Sequence, residues 1–154
     1  MHLSLEVALT SVLRSRDSLS RAANAVPADK LLWRPGGVSA HTVHIVAHAA
    51  TANETFAAVF TGGPMPYLTQ VDRDSAVAAC DTLEKAEYLL NRSVTSICDG
   101  IVLLSEERLA QPAIMPWGER LPFAAALLAP AMHMQYHEGQ ISYIQTLLGD
   151  DNYY

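Results

Sequence analysis

Basic residues are scarce in this sequence, and they form no cluster. Ten Lys and Arg residues stand against sixteen Asp and Glu residues, which gives a formal net charge of −6 over 154 residues. Nucleic acids and anionic membrane surfaces both favour proteins in which Lys and Arg are clustered. We therefore expect neither a nucleic acid nor a membrane among the partners.

Long apolar runs and a secretion signal are also lacking. The most apolar stretch, residues 123–132, is shorter than the ~18 residues that a membrane-spanning helix requires. Residues 1–13 have no basic start and include Glu6, which is unlike a signal peptide. These observations predict a cytoplasmic protein.

Cysteine is nearly absent. Cys80 and Cys98 are the two cysteines, and the apolar pattern around them predicts that both lie on one helix. At about 1.5 Å per residue they are then roughly 27 Å apart. A disulfide requires Cα atoms within about 7 Å, so we predict two free, buried thiols.

Helical apolar patterns dominate what is present. Half of the residues are apolar, which is enough for the core of a single domain spanning residues 1–154. Leu5, Val12 and Leu19 recur at heptad spacing, as on the buried face of a helix. The sequence predicts an all-α four-helix bundle with helices at about residues 4–26, 39–60, 72–98 and 122–148, and with a long connection, residues 62–71, that can cross the bundle.

Two single residues indicate details of these helices. Ser39 is a suitable N-cap for the second helix, because its hydroxyl can accept a free backbone N–H. Pro130 cannot donate to the carbonyl four residues back, so we expect a kink in the last helix. Residues 111–120 contain two prolines and a glycine and are predicted to be irregular.

Two charged residues, Arg16 and Glu87, lie on the apolar faces of the first and third predicted helices. They are predicted either to form a partly buried ion pair or to extend to the edge of these apolar faces. A further hypothesis is that Glu87 acts as an acid or base near a site.

Five of the six histidines lie on two predicted helices. His41, His44 and His48 fall within an arc of about 60°, and His133 and His137 are one turn apart. Two such imidazoles can bind one ion at about 2.0–2.1 Å, and nitrogen ligands favour zinc, nickel, copper or iron over magnesium or calcium. A third ligand from the facing helix would leave positions open for water or substrate, as in catalytic sites. Alternatively, the histidines are core residues of a purely structural bundle.

Three segments resemble a known family. Residues 133–141 read His-Met-Gln-Tyr-His-Glu-Gly-Gln-Ile, so that Gly-Gln and an apolar residue follow a His-x-x-x-His pair. Trp33-Arg34-Pro35 and Pro116-Trp117-Gly118 occur in the expected order before the second and last helices. The chain resembles the DinB/YfiT-like family over nearly its whole length. The resemblance implies a four-helix bundle with up-down-down-up topology.

The resemblance also implies a set of metal ligands. In the family, one histidine of the second helix joins the pair on the last helix, which corresponds to His133 and His137 here. We expect His48 as the third ligand because Phe56 lies two turns further on, as an aromatic residue often does in the family; His44 is the alternative. The implied cofactor is one divalent transition metal, with zinc or nickel favoured and iron as a further candidate.

This sequence departs from the family pattern in two ways. Glu138 stands where the family usually has Arg, so any role that depends on that positive charge is in doubt. His41 and His44 are additional histidines, which could support the ligands, supply a fourth ligand or simply be buried.

Family members with known activity include metal-dependent transferases that use low-molecular-weight thiols, and related hydrolases and isomerases. The resemblance therefore implies an enzyme that activates a thiol or water nucleophile against a small-molecule substrate, with Gln140 or Tyr136 orienting that substrate. The alternative is a non-enzymatic metal-binding or stress-associated bundle that acts as a homodimer. A charged fraction of only 17% is compatible with a helix face buried in a dimer.

Overall fold

The computed structural model describes residues 3–152 of the chain. In chain order the elements are α1 (Leu3–Ala25), a 3₁₀ turn (Ala28–Lys30), α2 (Thr42–Thr61), α3 (Gln70–Ala79), α4 (Leu83–Val102), α5 (Glu106–Leu109), β1 (Pro112–Ile114), β2 (Arg120–Pro122), α6 (Phe123–Ala126) and α7 (Ala129–Leu147).

The four long helices, α1, α2, α4 and α7, surround one apolar core. α2 packs chiefly against α4 and α1 chiefly against α7, while further contacts join α1 to α4 and α2 to α7. The all-α fold class is confirmed. Within residues 3–152, no helix has both the length and the hydropathy to cross a membrane. Fully buried side chains come from all four long helices: Val12, Leu19, Val46, Phe60, Leu90, Ile97, Met134 and Ile141.

The second helix is buried around most of its circumference and so lies at the centre of the packing. It ends at Gly62, which adopts a left-handed conformation (φ 68°) and donates its N–H to the carbonyl of Ala58. It begins later than predicted, at Thr42. His41 is its N-cap and accepts the His44 N–H at Nδ1, at 3.1 Å. The prediction that Ser39 caps this helix is therefore wrong, because its hydroxyl donates instead to the Gly36 carbonyl in the preceding turn.

The single helix predicted over residues 72–98 is two helices, α3 and α4. The Thr69 hydroxyl and the Asp72 carboxylate form a capping box at the start of α3. A second start follows at Thr82, whose hydroxyl accepts the Lys85 N–H at 3.3 Å. This local bond competes with continuation of α3. Cys80 consequently lies at the C-cap of α3, whereas Cys98 lies on α4. Both are free thiols as predicted, but each is only partly buried.

The last predicted helix is also interrupted. α6 ends at Ala126 and α7 starts at Ala129, with Pro130 in its first turn, where a missing N–H removes no helical bond. The prediction of a kink at Pro130 is therefore wrong, because a new helix begins there. The preceding segment is not irregular throughout, since β1 and β2 form an antiparallel hairpin that pairs Ala113 with Leu121. Gly118, at φ 88°, allows its turn.

The predicted ion pair between Arg16 and Glu87 is wrong. Arg16 pairs with Asp17 at 2.6 Å and donates to Asn91 at 2.6 Å, while Glu87 accepts from the Asn24 amide at 2.6 Å. Both charged side chains are half-buried, as expected for groups that extend to the edge of an apolar helix face.

Candidate metal centre

The packing of α2 against α7 brings three histidines together. His48 lies on α2, and His133 and His137 lie one turn apart on α7. One ring nitrogen from each lies within 4.8 Å of the others. The ring centroid of His48 is 5.4 Å from that of His133 and 4.9 Å from that of His137. His44 is not part of this group.

The spacing of these nitrogens suits one transition-metal ion. The Nε2 atoms of His133 and His137 are 3.2 Å apart. For an ion at about 2.0–2.1 Å from both atoms, the nitrogen–metal–nitrogen angle would be about 100°, which is between the octahedral and tetrahedral values. No fourth His, Cys, Asp or Glu joins the group in the described residues. The donor set therefore fits an ion with at least one position not taken by the protein.

The three imidazoles are neutral at physiological pH. Burial, reinforced by the neighbouring His137, lowers the pKa of His48 to about 4. Burial and the same neighbour lower the pKa of His133 to about 3, and burial also lowers the pKa of His137. Arg73 makes a smaller contribution in the same direction at His48 and His133. Neutral imidazoles present free lone pairs, which metal binding requires.

Gln140 holds the ring of His137. Its Oε1 lies 2.7 Å from Nδ1 of His137, and its Nε2 donates to the Tyr136 hydroxyl at 3.3 Å. An acceptor at Nδ1 fixes the proton there and leaves Nε2, which faces His133, free to bind an ion. Tyr136 is 64% exposed, and its ring lies 5.1 Å from that of His137. The observed contact gives Gln140 a positioning role; orientation of a substrate by either residue stays a prediction.

His133 is supported differently. Its Nδ1 is buried and has no hydrogen-bond partner among the described residues. Its ring packs edge-on against Phe56, with centroids 6.0 Å apart. The ring is thus positioned by packing and by its contact with His137 rather than by a protein acceptor.

A cavity of about 290 Å³ opens beside the histidines. The hairpin turn contributes Trp117, which is 60% exposed and meets the Phe56 ring edge-on at 6.5 Å. α3 contributes Arg73, whose Nε is buried without a hydrogen-bond partner in the described part of the chain. The lining residues are His48, Ala52, Thr55, Phe56, Arg73, Pro116, Trp117 and His133.

The remaining candidates from the sequence lie elsewhere. His41 caps α2, and its ring meets that of His44 edge-on at 5.9 Å. Glu87 is absent from the cavity lining. Glu138 borders a separate surface cavity together with Arg14 and Arg21. The sequence pattern gives no indication of Arg73 as a lining residue, because it predicts one helix over residues 72–98 and not a separate α3 that packs on α2.

Comparison with protein families gives one match that covers most of the chain. A family model described as the DinB superfamily matches residues 12–141. No curated protein matches the sequence.

Solved structures share the fold at low sequence identity. The mycothiol-dependent maleylpyruvate isomerase is 19% identical, with a TM-score of 0.70 over 89% of this chain and 60% of that chain. A point mutant of that isomerase gives a TM-score of 0.74 at 18% identity and the same coverage. The sibling lethal factor precursor DfsB is 17% identical, with a TM-score of 0.73 over 96% of this chain and 98% of that chain. The chain thus spans about 60% of the isomerase.

Proposed function

The chain belongs to the DinB superfamily, and we propose that it is a metal-dependent enzyme that activates a thiol or water nucleophile. The reaction class is that of a thiol S-transferase or a hydrolase, acting on a small molecule. His48, His133 and His137 are the proposed ligands of one divalent ion.

The observation that carries this proposal is a three-histidine group with an open cavity beside it. Two of the three histidines, His48 and His133, also line that cavity. Structural metal sites are usually closed by four protein ligands, whereas catalytic sites keep a position for water or substrate. Three protein donors next to a cavity therefore favour catalysis over a purely structural or storage role.

Each residue of the site has a proposed task. A bound divalent ion lowers the pKa of a coordinated water or thiol, which supplies a nucleophile at neutral pH. Gln140 keeps Nε2 of His137 unprotonated and correctly oriented. Phe56 and Trp117 form an apolar wall of the cavity.

Several finer elements belong to the same proposal. The ion is zinc or nickel, with iron as a further candidate, because three imidazole donors suit these metals. A low-molecular-weight thiol is the proposed co-substrate, which the fold shared with a mycothiol-dependent isomerase supports. The proposed setting is the cytoplasm, with the chain acting as a homodimer.

Metal content and metal-dependent activity together test the proposal. Elemental analysis should find about one ion per chain in the wild type and in His44→Ala, and much less in His133→Ala. His44→Ala is the matched control because it removes a histidine of α2 that lies outside the group. Transfer of a panel of low-molecular-weight thiols, or of water, to chromogenic electrophiles should be lost on chelation and restored by zinc or nickel. Equal metal in all three proteins, or rates that ignore the metal, would contradict the proposal.

A further inference from the structure

We propose that Arg73 binds the carboxylate of a small organic acid in the cavity beside His48 and His133. The substrate class is thus narrowed to small carboxylic acids with an apolar body. The inference rests on the proposed function in one respect only, which is that this cavity holds the substrate.

The first observation is that the Arg73 side chain has no hydrogen-bond acceptor among residues 3–152. Its Nε is buried, and its side chain makes no ion pair or hydrogen bond in the described part of the chain. A buried N–H donor rarely goes without an acceptor, because the hydrogen bond that it lost to water is then not replaced. A buried donor that the protein leaves unpaired, at the wall of a cavity, is therefore a candidate ligand-binding group.

The acidic residues next to Arg73 do not supply the missing acceptor. Asp72 accepts the Thr69 N–H in the capping box of α3, and Asp74 accepts from the Gln70 side chain at 2.7 Å. Other partly buried arginines of the chain do have protein acceptors: Arg16 bonds to Asp17 and Asn91, and Arg108 bonds to the Val59 carbonyl.

The rest of the cavity complements an anion with an apolar body. Arg73 is the single permanently charged side chain among the described lining residues, and no carboxylate opposes it. Ala52, Phe56, Pro116 and Trp117 provide apolar surface. The volume of about 290 Å³ lies just below the range of about 300–1,000 Å³ that is usual for ligand cavities. These features fit a small acid rather than a large or polar ligand.

The geometry of a guanidinium favours a carboxylate over a phosphate here. Nε–H and one terminal N–H form a planar fork that matches the two oxygens of a carboxylate. A phosphate carries more charge and three acceptor oxygens, and its sites usually combine several donors. One arginine among otherwise uncharged lining residues is matched to a single carboxylate.

The test is a titration of sodium benzoate into nitrogen-15-labelled protein, with neutral benzamide as the matched probe. The Nε–Hε resonance of Arg73 is identified by its loss in Arg73→Met. The metal-free protein is used first, because an added ion could itself bind benzoate. We expect benzoate, but not benzamide, to shift this resonance saturably. In Arg73→Met, benzoate binding followed at the Trp117 indole should weaken about tenfold or more.

Two controls separate benzoate binding by Arg73 from a general effect of net charge and from a structural role of Arg73. Arg14→Met removes a cation from an exposed position of α1 and should leave benzoate affinity unchanged. Arg73→Met should keep or raise the Tm, since it removes an unpaired buried donor. A lower Tm together with unchanged benzoate affinity would show that Arg73 is structural and would overturn the proposal.

Three further results would overturn it. They are equal benzoate affinity in the wild type and Arg73→Met, no saturable shift of the Arg73 resonance, and a stronger Arg73-dependent response to inorganic phosphate than to benzoate. A separate titration of the metal-free protein with zinc keeps the two proposals distinguishable. A wild type that binds no zinc would refute the metal centre, while the metal-free benzoate titration would still decide the role of Arg73.

Discussion

The contact between Gln140 and His137 orients one of the three proposed metal ligands. Nδ1 of His137 is 2.7 Å from Oε1 of Gln140, while its Nε2 lies 3.2 Å from Nε2 of His133. The amide oxygen can only accept, so the proton of the neutral ring stays at Nδ1. His133 has no equivalent acceptor at Nδ1 in the described residues. The two histidines of the pair are therefore supported unequally.

Replacement of Gln140 by Leu should weaken zinc binding by about 10- to 100-fold, because the ring of His137 loses the acceptor that orients it. Competition with a chromophoric chelator measures this affinity. Gln135→Leu is the matched control, since Gln135 lies exposed on the same helix and outside the histidine group. Wild-type affinity in Gln140→Leu would show that the contact does not support the ligand.

At the scale of elements, the sequence pattern predicts where helices form better than where they are interrupted. The apolar periodicity that indicates a helix over residues 72–98 continues across the break at Cys80 and Thr82. A threonine cap depends on one side-chain hydrogen bond, which periodicity does not record. The last helix differs for a similar reason, since Pro130 is compatible both with a kink and with a first turn.

The cap at Thr82 makes the start of α4 sensitive to one hydroxyl. Thr82→Ala should lower the free energy of unfolding by about 1 kcal/mol, because the Lys85 N–H loses its acceptor. Urea denaturation measures the change. Thr95→Ala is the matched control, because Thr95 is exposed inside α4 and caps no helix end; its effect should stay within about 0.5 kcal/mol. Equal losses in the two variants would contradict the role of the cap.

At the scale of the whole molecule, the candidate site is assembled from parts that the sequence reveals unequally. Helical spacing alone places His133 and His137 on one face of α7. The sequence indicates His48 only through the family resemblance, because α2 is apolar on nearly every side and its periodicity gives no orientation. Arg73 was not predictable in this way, since its position depends on how α3 packs against α2.

The burial of three neutral histidines should make the stability of the metal-free protein depend on pH. The folded-state pKa values of His48 and His133 are lowered to about 4 and about 3, mainly by burial, from an ordinary value of 6.5. As the pH falls below 6.5, the unfolded chain binds protons that the folded chain does not. Stability that is complete above that pH is therefore lost progressively toward pH 4.

The expected loss between about pH 7.5 and pH 5 is on the order of 2 kcal/mol, after allowance for the partial exposure of these rings. Urea unfolding of metal-free protein across this range measures it. His133→Leu removes one of the titrating groups and should flatten the dependence. A variant that follows the wild-type pH dependence in parallel would show that His133 does not contribute.

The proposed activity depends most on three imidazoles that bind one ion, and X-ray absorption at the zinc edge tests this directly. Zinc-loaded wild type should show three imidazole nitrogens at about 2.0–2.1 Å and at least one further oxygen ligand. His44→Ala should give the same spectrum, and His48→Ala should lose one imidazole. A sulfur shell, fewer than three imidazoles in the wild type, or an unchanged spectrum in His48→Ala would contradict the account.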